Sequence, residues 1–547
     1  MRFPSALFLA VCLVTAAFWL GCVAVPLAFV LARVSGAGWS SLFDSELISI
    51  VKMTAGQAFV STTWAFLLGL PAGLWFAGML AREPARTADR VSPHLEKLLA
   101  FTYTVPTVVS GMVGILWLGR MGWMARLGLS PDWAYSLRGV IVMHVLLNAP
   151  WVALMVLHAC GNVPERELEA ARTLGADVNR RFRWVIWPRI YPALFAVLAQ
   201  VFGLCVMSFA LVLLLGGGPP VDTLETAIYS RLRSSLLDVS SAAACGVWEL
   251  VLTLGPWAVL MLFSARQVRV SARAGAGGSA RGSAGMRGQG RSAPRDGAAA
   301  RLLKWVAAFT PLVPFGVFFV LGAPSAVSHL LGLGANLSGG ASAELAAPLW
   351  VSVRLSVGVA CLTLVLALAA VAAARGLGAR RPSAGAAASV ALALPSGISV
   401  LVLGLGFWLA YGRFLDPFEG SFLAMTLLQS TLFFPFAFRT LWPHADGIHS
   451  RELEAAITLG ASPLTAFFHV EWPRWRGPCL SVLGVAAAAS LGEVAAVSLF
   501  YSEKLVPLPL LIQRWMSQYR FEDAQALACL LLLLSAGTLA LTPRRAR

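Results

Sequence analysis

Along most of this chain, apolar residues gather into runs of about 20, each long enough to cross roughly 30 Å of hydrocarbon as a helix. The runs fall near 5–31, 55–80, 98–119, 137–160, 192–215 and 242–263, then again near 302–322, 350–374, 386–410, 421–442, 478–500 and 525–542. The pattern predicts an all-α polytopic membrane protein of about twelve spans, six in each half. The first run follows Arg2 but continues past Cys22 to Leu31. That is too long for the apolar part of a cleaved signal, so it reads as a span.

Two polar tracts interrupt this pattern, and they are nearly the same tract. Residues 166–176 read Arg-Glu-Leu-Glu-Ala-Ala-Arg-Thr-Leu-Gly-Ala, and residues 451–461 differ only in carrying Ile457 where the first has Arg172. The same offset of 285 relates Trp187-Pro188 to Trp472-Pro473, Pro150 to Pro435, His144 to Gln429 and Asp238 to Asp523. The chain is therefore a tandem duplication, with a first half at 1–265 and a second at 301–547. Between them, 266–300 is rich in Gly, Ser, Ala and Arg and has no apolar period. It reads as a disordered cytoplasmic tether, spanning roughly 30 Å as a flexible coil.

Composition supports the membrane reading. The chain is 58% hydrophobic and 12% charged, where a soluble domain carries about 25% charged residues. A net charge of +16 would suit nucleic acid, but the arginines cluster at the ends of apolar runs. Loops 81–97, 161–191, 264–301, 375–382, 443–477 and the tail are basic, whereas 323–349 and 501–524 are poor in arginine or balanced by acids. Loop 120–138, with Arg120, Arg126 and Arg138, is the exception. The positive-inside rule then places both termini and both repeated tracts in the cytoplasm, and the lipid bilayer rather than nucleic acid accounts for the charge. An even number of spans per half makes the repeats parallel. The eight cysteines show no metal or redox spacing and read as small buried hydrophobes.

Each repeated tract predicts a short helix. Asn162 is a suitable cap, Pro164 and Glu165 suit the first turn, Leu168, Ala171 and Leu174 share a face, and Gly175 stops the helix in a left-handed conformation. Ser450 and Gly460 take the cap and stop in the second copy. A small, flat Ala-Ala surface rimmed by Glu and Arg lets another protein's backbone approach closely. An interfacial hairpin re-entering the bilayer would explain one copy, but not ten identities in eleven between copies. A partly amphipathic helix follows, through Phe182 and Trp184 or Phe467 and Phe468, to Pro188 or Pro473.

Glu-Ala-Ala, three residues, Gly, and a hydrophobic-Pro pair thirteen residues later resembles the cytoplasmic coupling loop of type I ABC importer permeases. Glu169, Ala170, Ala171 and Gly175 fit the motif within a loop at 162–190, and Glu454, Ala455, Ala456 and Gly460 fit it within 447–477. The resemblance implies the type I permease fold in a bacterial inner membrane. It also implies that each helix seats in a cleft of one of two ATPase copies, while a periplasmic substrate-binding protein docks on the outer face. Two copies in one chain resemble the fused permeases, which include those for thiamine and for ferric iron. No Gly-Lys dipeptide exists, so the chain has no phosphate loop. ATP and Mg would be bound by the partner ATPase. The chain is expected to be no enzyme itself, with no catalytic residue, cofactor or metal of its own. The loop at 215–229, the stretches Ser490–Glu493 and Leu508–Leu511, Phe209 and Pro106-Thr107 look more like the thiamine than the ferric permeases.

For the substrate pathway the candidates are Glu493, inside the run 480–500, and Glu249, inside 242–262. Carboxylates at such depth are costly and default to functional residues. A carboxylate beside Trp or Phe suits thiamine, which carries a fixed positive charge on an aromatic ring. Ferric ion wants several hard oxygen ligands together, and no Asp/Glu/Tyr cluster stands out within the spans. Pairing of Glu493 with an Arg, a Gln or backbone of another span is the competing reading, and it stays open. His144 and Gln429 are expected to hold helices together. Segments 223–238 and 508–523 are expected to lie as periplasmic helices near the gate, as a docking surface or a lid. Ferric iron or another small organic ion stays open as substrate. A twelve-span secondary transporter stays open as another class, although it would need no repeated Glu-Ala-Ala helix, as does a scaffold without transport.

Overall fold

The computed structural model describes residues 5–78, 93–119, 122–128, 133–216, 221–233, 237–275, 298–335, 340–415, 419–446, 456 and 458–540. The first half runs α1 (Ser5–Trp19), α2 (Val25–Ala37), α3 (Ser45–Phe76), α4 (Pro93–Thr104), α5 (Thr107–Leu118), α6 (Trp123–Arg126), α7 (Leu137–Gly161), α8 (Glu165–Thr173), α9 (Val178–Arg181), α10 (Trp187–Val206), α11 (Phe209–Leu215), α12 (Leu224–Arg233) and α13 (Val239–Gly275). The second runs α14 (Ala298–Phe309), α15 (Val313–Ala335), α16 (Gly340–Arg380), α17 (Pro382–Ala393), α18 (Val400–Tyr411), α19 (Phe422–Asp446), α20 (Pro463–Ala466), α21 (Trp472–Gly492), α22 (Ala495–Phe500), α23 (Leu508–Ser517) and α24 (Phe521–Ala540). The fold is all-α. Helix α13 continues through Gly275, ten residues into the stretch read as a tether, and α14 opens at Ala298; the rest of the tether, 276–297, lies outside the described residues.

The duplication extends to local irregularities. A π-helical turn at Phe182–Ile186 leads into α10, and another at Phe467–Glu471 leads into α21. In both, the next residues are Trp-Pro. Pro188 has no N–H to return to the carbonyl four residues back, and in the first copy the Trp187 amide reaches Phe182 instead, five residues back.

Ten helices among the described residues are long and apolar enough to cross a membrane, or eleven with one bent pair counted as a span. The two runs missing from the expected twelve are 386–410, which is that bent pair, and 478–500. The runs at 98–119 and 192–215 are broken as well, but Thr107–Arg126 and Val178–Val206 still count as spans. The runs at 98–119 and 386–410 are each two helices. Pro106 separates α4 from α5, and α17 meets α18 at 98° across Ser399. The runs at 192–215 and 478–500 also break, after Val206 and after Gly492. Helix α21 carries Arg474 and Arg476 in its first turns, which keeps it below the apolar threshold of the others.

Within the first half, α3 and α7 run face to face. A Cβ on Gly69 would lie 2.6 Å from the Ala149 carbonyl oxygen, and one on Gly73 would lie 2.6 Å from that of Ala153. This is a small-xxx-small contact, the arrangement that lets helices meet in lipid where apolar burial alone gives no drive. Phe59, Trp64, Leu67 and Leu68 are exposed on the same helix, as expected where the solvent is hydrocarbon.

The halves interlock through their first helices. Helix α2 packs between α13 of its own half and α18 of the other, while α15 packs between α24 of its own half and α5 of the other. This exchange follows one pseudo-twofold relation, and α18 also packs against α12 and α22.

Candidate translocation path and coupling surface

The first coupling tract folds as α8, but its cap differs from the expectation. Helix α7 continues to Gly161 and Asn162 closes it, so Asn162 is not free to begin α8. Pro164 occupies the N-cap position, with no side-chain hydrogen bond. Gly175 does end the helix with φ +75°. Its amide donates to the Arg172 carbonyl at 2.9 Å and that of Ala176 to the Ala171 carbonyl at 2.9 Å. This is the reciprocal bonding that satisfies the last carbonyls of a helix.

The expected apolar face is only partly realised. Leu168 and Ala171 are buried, at 3% and 9% exposure, while Leu174 stands 86% exposed in the closing turn. Glu169 and Ala170 face solvent, so the two alanines do not form one flat surface. An ion pair from Arg189 to Glu167 ties α8 to the start of α10.

In the second copy Glu454 and Ala455 lie outside the described residues, and so does Ser450. Ala456 is partly buried and its carbonyl accepts the Ala461 amide at 3.0 Å. Gly460 has φ +83° and Leu459 is 87% exposed. Two exposed leucines therefore crown the same turn in each half. The repeated Leu-Gly pair carried that signal, which a helical face drawn through Leu174 obscured.

The segments expected to lie as helices near the gate are helical and packed into the protein. Leu224, Glu225, Thr226, Ala227, Ile228 and Leu232 of α12 are buried, as are most of the residues of α23. Each helix is anchored at its start by a hydroxyl on a long helix. The Leu224 amide donates to Thr54 Oγ1 of α3 at 3.0 Å, and the Leu508 amide to Ser352 Oγ of α16 at 2.7 Å. Arg233 at the end of α12 crosses between halves. Its guanidinium donates to the Ser498 carbonyl at 2.8 Å and lies 4.4 Å from the Tyr501 ring centroid.

The two sequence candidates, Glu249 and Glu493, converge on a third acid. Glu225 sits beside Glu249, with Glu493 in electrostatic reach. Ser399, at the bend before α18, donates from Oγ to Glu225 Oε1 at 2.6 Å. Glu493 Oε1 accepts the Ala495 amide at 2.9 Å and so caps α22. The backbone partner is local, two residues along the same segment, and not from another span. Glu225 was missed because its run, Val221–Leu232, is too short and mixed to read as membrane-embedded. Its burial follows from the insertion of α12, which no periodicity announces.

His144 and Gln429 bind helices together. The ring nitrogens of His144 bridge Ser61 on α3, at 3.3 Å, and Ser208 at the start of α11, at 2.8 Å. Gln429 Oε1 accepts from Ser490 Oγ on α21.

These features form an interlocked two-half membrane bundle with a duplicated exposed turn and a buried polar centre. The family described as "Binding-protein-dependent transport system inner membrane component" matches this chain twice, over residues 69–268 and 345–542, and the chain belongs to that family. It is an ABC importer permease, a multi-pass inner-membrane transport subunit with two family units fused in one polypeptide. Among its relatives, the Thiamine transport system permease protein ThiP of Brucella abortus is 29% identical over 513 residues, covering 92% of this chain and 89% of that one. The ThiP of Escherichia coli is 30% identical over 505 residues, covering 90% and 88%. A Haemophilus influenzae protein described as a ferric transport system permease, FbpB 1, is 30% identical over 213 residues, covering 38% of this chain and 32% of that one.

Proposed function

We propose that this chain carries thiamine, or its phosphates, across the bacterial inner membrane after delivery by a periplasmic binding protein. ATP hydrolysis on two copies of a separate ATPase subunit drives the cycle. The observation that carries this reading is the extent of the likeness. Relatives described as thiamine permeases align over about nine-tenths of both chains, while the ferric relative aligns over 38% of this one.

In this reading Glu169, Ala170, Ala171 and Gly175, with Glu454, Ala455, Ala456 and Gly460, form the two handles that the ATPase subunits hold. The exposed Leu174 and Leu459 supply the apolar contact at each tip. Closure of the ATPase pair draws the handles together, and the interlocked halves rock between inward- and outward-open states, whose populations follow their differential contacts. Both termini lie in the cytoplasm. Glu493 and Glu249 line the path for a cationic substrate.

The test is reconstitution in proteoliposomes with the ATPase and binding protein encoded beside this chain. Labelled thiamine should accumulate only with ATP inside the ATPase compartment and binding protein on the opposite side. Uptake driven by an ion gradient without ATP, or uptake of ferric ion in place of thiamine, overturns the reading.

A further inference from the structure

The carboxyl group of Glu249 is fully buried, and its oxygens meet no donor beyond what the adjacent Glu225 carboxyl and Ser399 hydroxyl can supply. One oxygen of Glu225, Oε2, is buried in the same way. Burying such groups unpartnered costs far more than burying an apolar side chain. Here the two occur beside each other.

Packing independently fixes the place they share. One turn before Glu249, a Cβ on Gly246 would lie 3.5 Å from the Val402 methyls, and further along α13, Leu254 lies against Gly397. Helix α13 therefore runs antiparallel to the segment 397–402, with Glu249 opposite Ser399. The Ser399 hydroxyl already serves Glu225. Glu493, partly exposed, stands at the edge of the same group from the other half.

The duplication supplies a control. At the 285 offset, Glu225, Glu249 and Glu493 correspond to Leu510, Leu534 and Ser208. The acids thus have no symmetric copy. A structural requirement of the repeated fold would have been met twice. Two carboxyl groups side by side in apolar surroundings cannot both stay ionised alone: they share a proton or take up a positive charge. Among the described residues no group of three His, Cys, Asp or Glu is arranged to hold a metal ion, so a larger cation with dispersed charge fits better.

We propose that Glu225 and Glu249, with Glu493 at the entrance, form a single binding site for one organic cation at the junction of α12, α13 and α18. The site rests on the proposed function only for the name of the cation. In one orientation of the substrate its charged ring sits against the pair, and the opposite half offers the apolar Leu510 and Leu534 instead. Translocation then handles one cation per cycle, bound asymmetrically in a symmetric frame.

The test is equilibrium binding of labelled thiamine and of labelled tetraethylammonium to the purified full-length chain in nanodiscs. Wild type should bind one cation per chain. Glu225→Gln and Glu249→Gln should each weaken binding by at least about tenfold, a change of about 1.4 kcal/mol, while Glu522→Gln, an exposed acid in the first turn of α24, leaves it unchanged. Glu225→Asp keeps the charge and should retain binding, which separates loss of charge from failure to fold. Saturable binding of tetraethylammonium without thiamine keeps the site and overturns the thiamine reading. No saturable binding of either cation, two per chain, or wild-type affinity in both glutamine variants overturns the site.

Discussion

The two halves repeat their backbone and part company in their buried polar residues. Helices α7 and α19, the π-turns and the starts of α10 and α21 recur at the same offset. So do the left-handed glycines, Gly175 and Gly460. Yet Ser208 stands at the break of the first half and bonds His144, whereas the second half places Glu493 at that break and leaves Gln429 to Ser490. Among the described residues both coupling tracts end in the same turn, a left-handed glycine after an exposed leucine. The buried polar residues beside the two breaks are unequal. In the proposed reading, equal handles under an unequal path would let two identical ATPase subunits move one asymmetric solute.

The handles give the strongest test of equality. Gly175→Val and Gly460→Val each force a β-branched residue to positive φ, costing more than the roughly 1–2 kcal/mol of an ordinary left-handed residue. The closing turn that presents Leu174 or Leu459 would be displaced. Either variant should lose most ATP-driven uptake and co-purify poorly with the ATPase, and the two should fall alike. Full co-purification of both variants counts against the docking role; loss in only one breaks the symmetry of the handles.

At the centre the expectation reverses. Glu493→Gln keeps an acceptor oxygen for the Ala495 amide and so preserves the cap while removing the charge. Uptake of cationic thiamine at low concentration should drop several-fold, by about 1 kcal/mol or more, with assembly unchanged. Ser208→Ala, at the same register, should cost about 1 kcal/mol of stability and leave uptake near wild type. Equal uptake defects in the two variants would mean that the break itself, not its charge, matters.

Helix packing sharpens the comparison at smaller scale. Gly73→Ala drives a methyl to within 2.6 Å of the Ala153 carbonyl oxygen, whereas a methyl at Gly358 on α16 would sit 3.8 Å from Thr426 on α19. The first should destabilise the bundle by about 1–3 kcal/mol. The second should be neutral or stabilise by up to about 1 kcal/mol. Melting temperatures in detergent decide it; equal melting of the two variants would show the α3–α7 contact to be slack.

Much of this was legible because membrane spans and helix stops are written locally. A run of apolar residues, a Leu-Gly after two alanines and a constant offset each need only neighbouring letters. The breaks were harder. Pro106 is visible, but Ser399 gives no local sign of turning the chain by 98°. Asn162 looked like a start and is an end, because α7 uses it first. Glu225 escaped because its depth depends on α12 being drawn inward by Thr54 and by neighbours far along the chain. Pair spacing in sequence carries no such information. The acids that sequence did flag were found by their apolar surroundings, and their meeting at one point belongs to tertiary structure.

The mildest prediction concerns Asp238 and Asp523, which occupy matching positions with different tasks. Asp238 Oδ1 accepts the Ser241 amide at 3.0 Å and caps α13. Asp523 instead pairs with Arg520 at 2.8 Å, on an exposed face. Asp238→Ala should therefore cost about 1 kcal/mol, a lost helix cap, and Asp523→Ala close to nothing, as for a surface ion pair. The donors from Ser241 hold the Asp238 carboxyl below its ordinary pKa. Its folded value is thus lower than its unfolded one, and the stability it adds is complete above the usual carboxylate range and is lost as pH falls through the folded value. The melting difference between wild type and Asp238→Ala should accordingly shrink on acidification. A difference that stays constant down to pH values below that range would mean that the side chain acts by packing and not as a charged cap.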